Sequence, residues 1–146
     1  MAEFDDAWHE EWYGRMEEGG GTIIAAMRMR MVQANAELVV MEMPMTRGVR
    51  QGTGVFAAGA LMQLADVAAT TMCQWASGST PEDPKPFPLS VQISMNLLRN
   101  VDKGKVISES RIVHGGRTLT VVESRVRDEG GRLLCMVTST HVAVPR

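Results

Sequence analysis

Apolar residues change their spacing along the chain, and each spacing predicts an element. Phe4, Trp8 and Trp12 recur every fourth position, Met16 continues the stripe, and Asp5, Asp6, His9 and Glu10 fill the other side. That pattern predicts an amphipathic helix ended by Gly19-Gly20-Gly21. It either docks on the domain or forms a lid over a pocket. From Thr22 the period falls to two, as in Met27-Arg28-Met29-Arg30-Met31. Thr22 to Gln33 and Glu37 to Met43 therefore read as a β-hairpin turning near Asn35. Pro44 to Gly54 reads as a loop.

From Gly54 to Trp75 the apolar residues crowd together and Asp66 is the single charged side chain. Gly52-Thr53-Gly54 opens this run, Ser77-Gly78-Ser79 with Pro81 closes it, and its interior is rich in good helix formers. At about 100° per residue, Gly59, Gln63, Asp66, Thr70 and Gln74 share a narrow polar seam, while Leu61, Leu64, Ala65, Val67, Ala68 and Met72 cover much of the rest. The seam either faces water, with Asp66 an ordinary surface carboxylate, or lines a cleft. In a cleft, partial burial would raise the pKa of Asp66 and make it a general base or nucleophile. Periodicity alone leaves both open.

A proline-rich loop, Pro81 to Pro88, leads to four alternating segments: Leu89 to Leu98, Lys105 to Val113, Arg117 to Arg127 and Arg132 to Val144. Short turns separate them, which predicts neighbouring antiparallel strands. In the first, Val91, Ile93, Met95 and Leu97 are expected on one face and Ser90, Gln92, Ser94 and Asn96 on the other. The order is helix, two strands, long helix, four strands. It predicts an α+β fold, with one antiparallel sheet wrapped around the long helix. Residues 1–21 form an extra N-terminal helix and 22–146 one domain.

Composition narrows the function classes. A chain of 146 residues with formal charge −2 and scattered basic residues offers no footprint for nucleic acid, and no partner of that kind is expected. The long run is too interrupted for a membrane span, and no signal peptide is visible, so a cytoplasmic protein is expected. Cys73 and Cys135 lie far apart and read as reduced, buried thiols. His9, His114 and His141 form no metal-binding pattern and read as bland, and no metal site is expected. Twelve methionines fit ordinary core filling or an adaptable pocket.

Two stretches carry a finer pattern. The helix contains Ala57-Ala58-Gly59-Ala60-Leu61-Met62-Gln63-Leu64-Ala65-Asp66, and the following strand Ser90-Val91-Gln92-Ile93-Ser94-Met95-Asn96-Leu97-Leu98-Arg99. They resemble the HGGALxxLAD helix and SVxLNxxFLRPxxxG strand of the hot-dog fold thioesterases, of the PaaI-like and acyl-CoA thioesterase type. The resemblance covers Thr22 to Val144 in element order. It implies Asp66 as general base or nucleophile and Ser90 as the residue orienting the attacking water. It implies that the amides of Ala58 and Gly59 hold the oxyanion with help from the helix dipole. Gln51 stands near a water-binding asparagine of some members, while Ala57 replaces the usual histidine and Ala58 the middle glycine. A glycine-to-alanine change keeps the backbone donor where φ is negative.

The resemblance further implies a homodimer or tetramer, with the strand from Leu89 pairing across the interface and Asp66 of one subunit facing the helix start of the other. The expected substrate is a small or medium acyl- or aryl-CoA thioester. Coenzyme A enters as part of the substrate, and no separate cofactor is expected. Arg99, Lys103, Lys105 and the turn carrying His114 and Arg117 are candidates for its phosphates. The alternative is a non-catalytic acyl-CoA or small-ligand binding hot-dog, motivated by Ala57 and Ala58. A hot-dog dehydratase ranks last, since no histidine lies between Gly54 and Trp75.

Overall fold

Six antiparallel strands form one sheet, and one long helix lies across it. The computed structural model describes residues 4–145. The elements are α1 (Asp6–Glu18), α2 (Ile23–Ala26), β1 (Arg30–Ala34), β2 (Val39–Pro44), α3 (Ala58–Ala76), β3 (Phe87–Leu97), β4 (Lys105–Gly115), β5 (Leu119–Asp128) and β6 (Leu133–Val144). The strand order is β1-β2-β4-β5-β6-β3, with every pair antiparallel. This is the hot-dog arrangement.

The buried face of α3 explains the architecture. Leu61, Leu64 and Met72 are fully buried against Met41, Met43, Val106, Val122 and Leu134 of the sheet. Burying each such side chain contributes about 1.5–3 kcal/mol. Ala60, Ala65, Ala68 and Ala69 fill the same face with little bulk. Small residues answer them from the sheet: Ser110 and Ser124 share a 2.7 Å hydrogen bond, and Ser124 donates to the Ala65 carbonyl at 3.5 Å. Gly59, Gln63, Asp66, Thr70 and Gln74 stay outside this core, as their seam predicts.

Four expectations need correction. The strand expected from Thr22 begins only at Arg30, because Thr22 caps a single helical turn through Ala25 N and Arg28 then takes a positive φ of 52°. Helix α3 starts at Ala58 rather than Gly54: Gly54 has φ 91°, and Phe56 is held in extended form by an isolated bridge to Arg50. β3 does not neighbour β4 but pairs with β6 at the edge of the sheet. The segment after β3 crosses the sheet, anchored by Leu98 and Arg99 amides donating to the Leu134 carbonyl. Finally, the strict alternation expected in β3 is broken by a bulge at Val91, between Ser90 and Gln92. Ser90 thereby falls on the same face as Ile93 and Met95, facing the helix.

The N-terminal helix docks on the sheet, covering edge strand β1. Asp5 caps it through Trp8 N at 2.8 Å. One turn apart, His9 Nε2 lies 3.0 Å from the Met31 carbonyl and the Tyr13 hydroxyl donates to the Met29 carbonyl. The helical step of four residues thus matches the strand step of two. Arg30 pairs with Asp6, and Arg28 pairs with Glu10 while stacking 4.5 Å over the Tyr13 ring. Tyr13 is buried, so Tyr13→Phe leaves the Met29 carbonyl without its donor. Urea denaturation should show a loss of about 1–3 kcal/mol with an unchanged slope.

Candidate active site

Helix α3 begins without a side-chain cap. Its N-cap is Ala57, at φ −63° and ψ 136°, which offers no oxygen to the first turn. The Ala57 amide donates to the Val49 carbonyl, and the Ala57 carbonyl accepts from Ala60 and Leu61. Among the described residues, no hydrogen bond engages the N–H of Ala58 or Gly59. Gly59 is exposed, and a Cβ there would meet nothing within 4 Å. Two backbone donors at the positive end of a 19-residue helix are therefore left for a ligand. Asn100 secures this entry by donating to the Phe56 carbonyl at 2.7 Å, while Phe56 N donates to Val101 O.

Two turns further along α3, Asp66 is half-buried and accepts a 2.6 Å hydrogen bond from the Ser90 hydroxyl of β3. The bulge at Val91 is what turns Ser90 toward the helix. Beyond Ser90 stands His141 of β6, with Nδ1 3.3 Å from Ser90 Oγ and 3.4 Å from the Pro88 carbonyl. Its Nε2 lies 2.9 Å from Ser139 Oγ. Burial holds the His141 imidazole below its ordinary pKa, against opposing effects of the Pro88 carbonyl and the Asp66 charge. The bland reading of His141 is thus corrected: it is a buried member of the Asp66–Ser90 cluster. The signal lay in β6, where Cys135, Val137, Ser139 and His141 alternate onto the core face and two of the four are polar. Asn100 gave no comparable signal.

The remaining predicted residues separate into two groups. Gln51 is exposed on the loop before α3, where its side chain donates to Thr53 at 2.7 Å. It belongs to the helix-start end and does not meet Asp66. Arg99 is exposed, donates to the Leu133 carbonyl at 3.3 Å, and lies beside Asn100 at that same end. Lys103 lines a hollow of about 260 Å³ in which Lys103, Lys105 and Arg132 face Asp102, Asp128 and Glu129. Three cations against three carboxylates leave no net positive site there. Lys105 is further committed to Glu42 at 2.6 Å. His114 and Arg117 are exposed at the other end of the sheet. His114 lies nine positions along β4 from Lys105, about 30 Å at the rise of a strand. Cross-strand pairing through Gly115, Thr120, His141 and Ser90 puts this turn at the Asp66–Ser90 end.

The two thiols take no part in this arrangement. Cys73 and Cys135 are buried and free, and burial pushes each up to about 11. They are protonated at neutral pH and poor nucleophiles. Among the described residues, no helix is long and apolar enough to cross a membrane.

Known proteins resemble this chain in sequence and in fold. The sequence model of the thioesterase superfamily matches residues 53–135. The ComA2 protein of Bacillus subtilis (strain 168), named provisionally as an esterase, is 29% identical over 125 residues, covering 86% of this chain and 96% of its own. A Deinococcus radiodurans protein with the same provisional description is 31% identical over 126 residues, covering 85% of this chain and 76% of its own. Among solved structures, the E. coli PaaI protein from the phenylacetic acid degradation operon superposes with a TM-score of 0.75 at 13% identity, covering 94% of each chain. That likeness shows the shared fold. On the family match and the curated relatives, the chain belongs to the thioesterase superfamily and is a hydrolase of thioesters.

Proposed function

We propose that the protein hydrolyses a small or medium acyl- or aryl-CoA thioester in an active site shared between two subunits. The observation that carries this reading is a distance. The free amides of Ala58 and Gly59 and the carboxylate of Asp66 lie on one helix, separated by seven or eight residues, or about 10–12 Å at the helical rise. A thioester carbonyl held by the amides leaves its attacking water about 3 Å from carbon and the base within hydrogen-bond reach of that water. One helix cannot place both ends at one substrate. Two copies can.

The exposed edge of β3 supplies the contact. It is an edge strand of 11 residues carrying Leu89, Val91 and Leu97, each 43–56% exposed, with Leu98 just beyond at 53%. Such an apolar edge invites pairing. Antiparallel pairing of two β3 edges about a two-fold axis lays the two α3 helices side by side in opposite directions. That brings Asp66 and Ser90 of one subunit toward the helix start of the other. A tetramer would place two such dimers together.

In the proposed reaction Asp66 accepts a proton from water, whose oxygen bonds to the thioester carbon. Ser90 fixes one carboxylate oxygen through its hydroxyl, leaving the other for the water. The Ala58 and Gly59 amides receive the developing oxyanion, where preorganised donors act most strongly. Collapse restores the carbonyl and expels the coenzyme A thiolate, which takes up a proton. The products are a carboxylate and free coenzyme A. Coenzyme A enters only as part of the substrate, and the scheme uses no metal or separate cofactor. Arg99, His114 and Arg117 are the side chains proposed to meet its phosphates, the first from one end of the sheet and the last two from the other, whereas Lys103 lies among Asp102, Asp128 and Glu129. A cytoplasmic location accords with this substrate, and no nucleic acid enters the scheme.

Thiol release from a panel of acyl-CoAs tests this reading. Asp66→Asn should lower turnover about 10²-fold to 10⁴-fold with the fold intact, whereas a non-catalytic acyl-CoA binder would bind saturably and release no thiol in either form. A second variant separates stability from catalysis. Ala57→Ser supplies the missing cap and should raise stability by about 0.5–2 kcal/mol. Its hydroxyl would occupy the Gly59 amide, so turnover should fall as the melting temperature rises.

A further inference from the structure

We infer that His141 is a positioning residue, which orients the Ser90 hydroxyl toward Asp66 by donating a hydrogen bond from Nδ1. The inference rests on the proposed role of Asp66 and adds a residue that neither the family motif nor the seam on α3 contains.

Hydrogen-bond bookkeeping assigns the tautomer. The single Ser90 proton is committed to Asp66 Oδ1 at 2.6 Å, so Ser90 meets His141 only as an acceptor. The Pro88 carbonyl, also an acceptor, faces the same nitrogen at 3.4 Å. Nδ1 must therefore carry a proton, shared between these two oxygens. His141 is 1% exposed, and burial favours its neutral form. A neutral ring with a proton on Nδ1 leaves Nε2 bare, and Nε2 accepts from the Ser139 hydroxyl at 2.9 Å. All three bonds then point one way: Ser139 to His141, His141 to Ser90, Ser90 to Asp66. The carboxylate at the end of this series is the charged group that acts on the ring.

The direction has a chemical consequence. A serine hydroxyl rotates freely, and without a donor behind it Ser90 can turn its proton away from Asp66, to water. A proton on Nδ1 occupies one Ser90 lone pair and leaves the hydroxyl proton the Asp66 direction. Asp66 is then held by Oδ1, with its remaining oxygen aimed at the cleft. The arrangement differs from a nucleophilic Ser-His-Asp triad, in which the carboxylate orients the histidine; here the carboxylate contacts the serine itself.

Three substitutions and one spectrum test the assignment. His141→Asn keeps an N–H near the Nδ1 position, His141→Gln moves it toward Nε2, and His141→Phe retains the ring volume with no nitrogen. With Asp66→Asn assayed alongside, folded His141→Phe and His141→Gln should lose about tenfold in kcat, the size of one lost hydrogen bond to a reacting pair. KM should stay within about twofold of wild type, and His141→Asn should recover most of kcat. Wild-type kcat in folded His141→Phe, or no recovery in folded His141→Asn, overturns the inference. An active Asp66→Asn overturns the proposed mechanism instead. Should the variants fail to fold, imidazole ¹⁵N spectra of the wild-type protein decide. The neutral Nδ1–H tautomer is expected at neutral pH, and the Nε2–H tautomer contradicts it.

Discussion

The hydrogen bond from Ser90 to Asp66 joins the sheet to the one charged residue of the central helix, and it exists because β3 carries an extra residue. Without the bulge at Val91, period-two alternation would send Ser90 to the opposite face from Ile93 and Met95. With it, a polar residue and two apolar ones face the same helix. His141 pairs with Ser90 in the adjacent strand, so the bulge also brings the imidazole into line. One inserted residue therefore sets the geometry of three side chains. A half-buried hydrogen bond to a charged group contributes about 1.5–3 kcal/mol, and here it engages one of the two carboxylate oxygens of Asp66.

The helix start, the other half of the proposed site, trades stability for access. Ala57 is a poor N-cap, and among the described residues the amides of Ala58 and Gly59 have no partner, at the start of a helix whose apolar face is packed on the sheet. The surrounding structure over-determines this start: Asn100, Val101 and Val49 hold Phe56 and Ala57 by their backbone atoms. The helix therefore begins at a defined residue without a side chain occupying its donors. An alanine in place of histidine removes a side chain from the helix start but leaves the backbone donors in position.

Much of the fold was legible because burial imposes period. The seam of α3 and the four alternating segments that follow it are read from spacing alone. Strand adjacency did not, since the short link after Leu97 reads as a hairpin yet crosses the sheet to let β3 lie beside β6. Asp66 stood out as a lone carboxylate in an apolar run, and Ser90 through its motif. His141 was hidden because a histidine in an alternating strand has the same signature whether it supports a core or a site. The phosphate candidates share only charge and position in the sequence, which do not reveal that β4 holds Lys105 and His114 about 30 Å apart or that Lys105 is paired with Glu42.

The most direct test of a shared site is complementation between two inactive proteins. Asp66→Asn removes the base but keeps its helix start, and Ala57→Asp keeps the base but occupies the start. Refolded together at equal concentrations, half the dimers should be mixed, each with one intact site of two, giving about one quarter of wild-type thiol release. Recovery of that order is predicted. Activity no greater than that of the two variants refolded separately, with mixed dimers demonstrated by mass, would contradict a site shared between subunits.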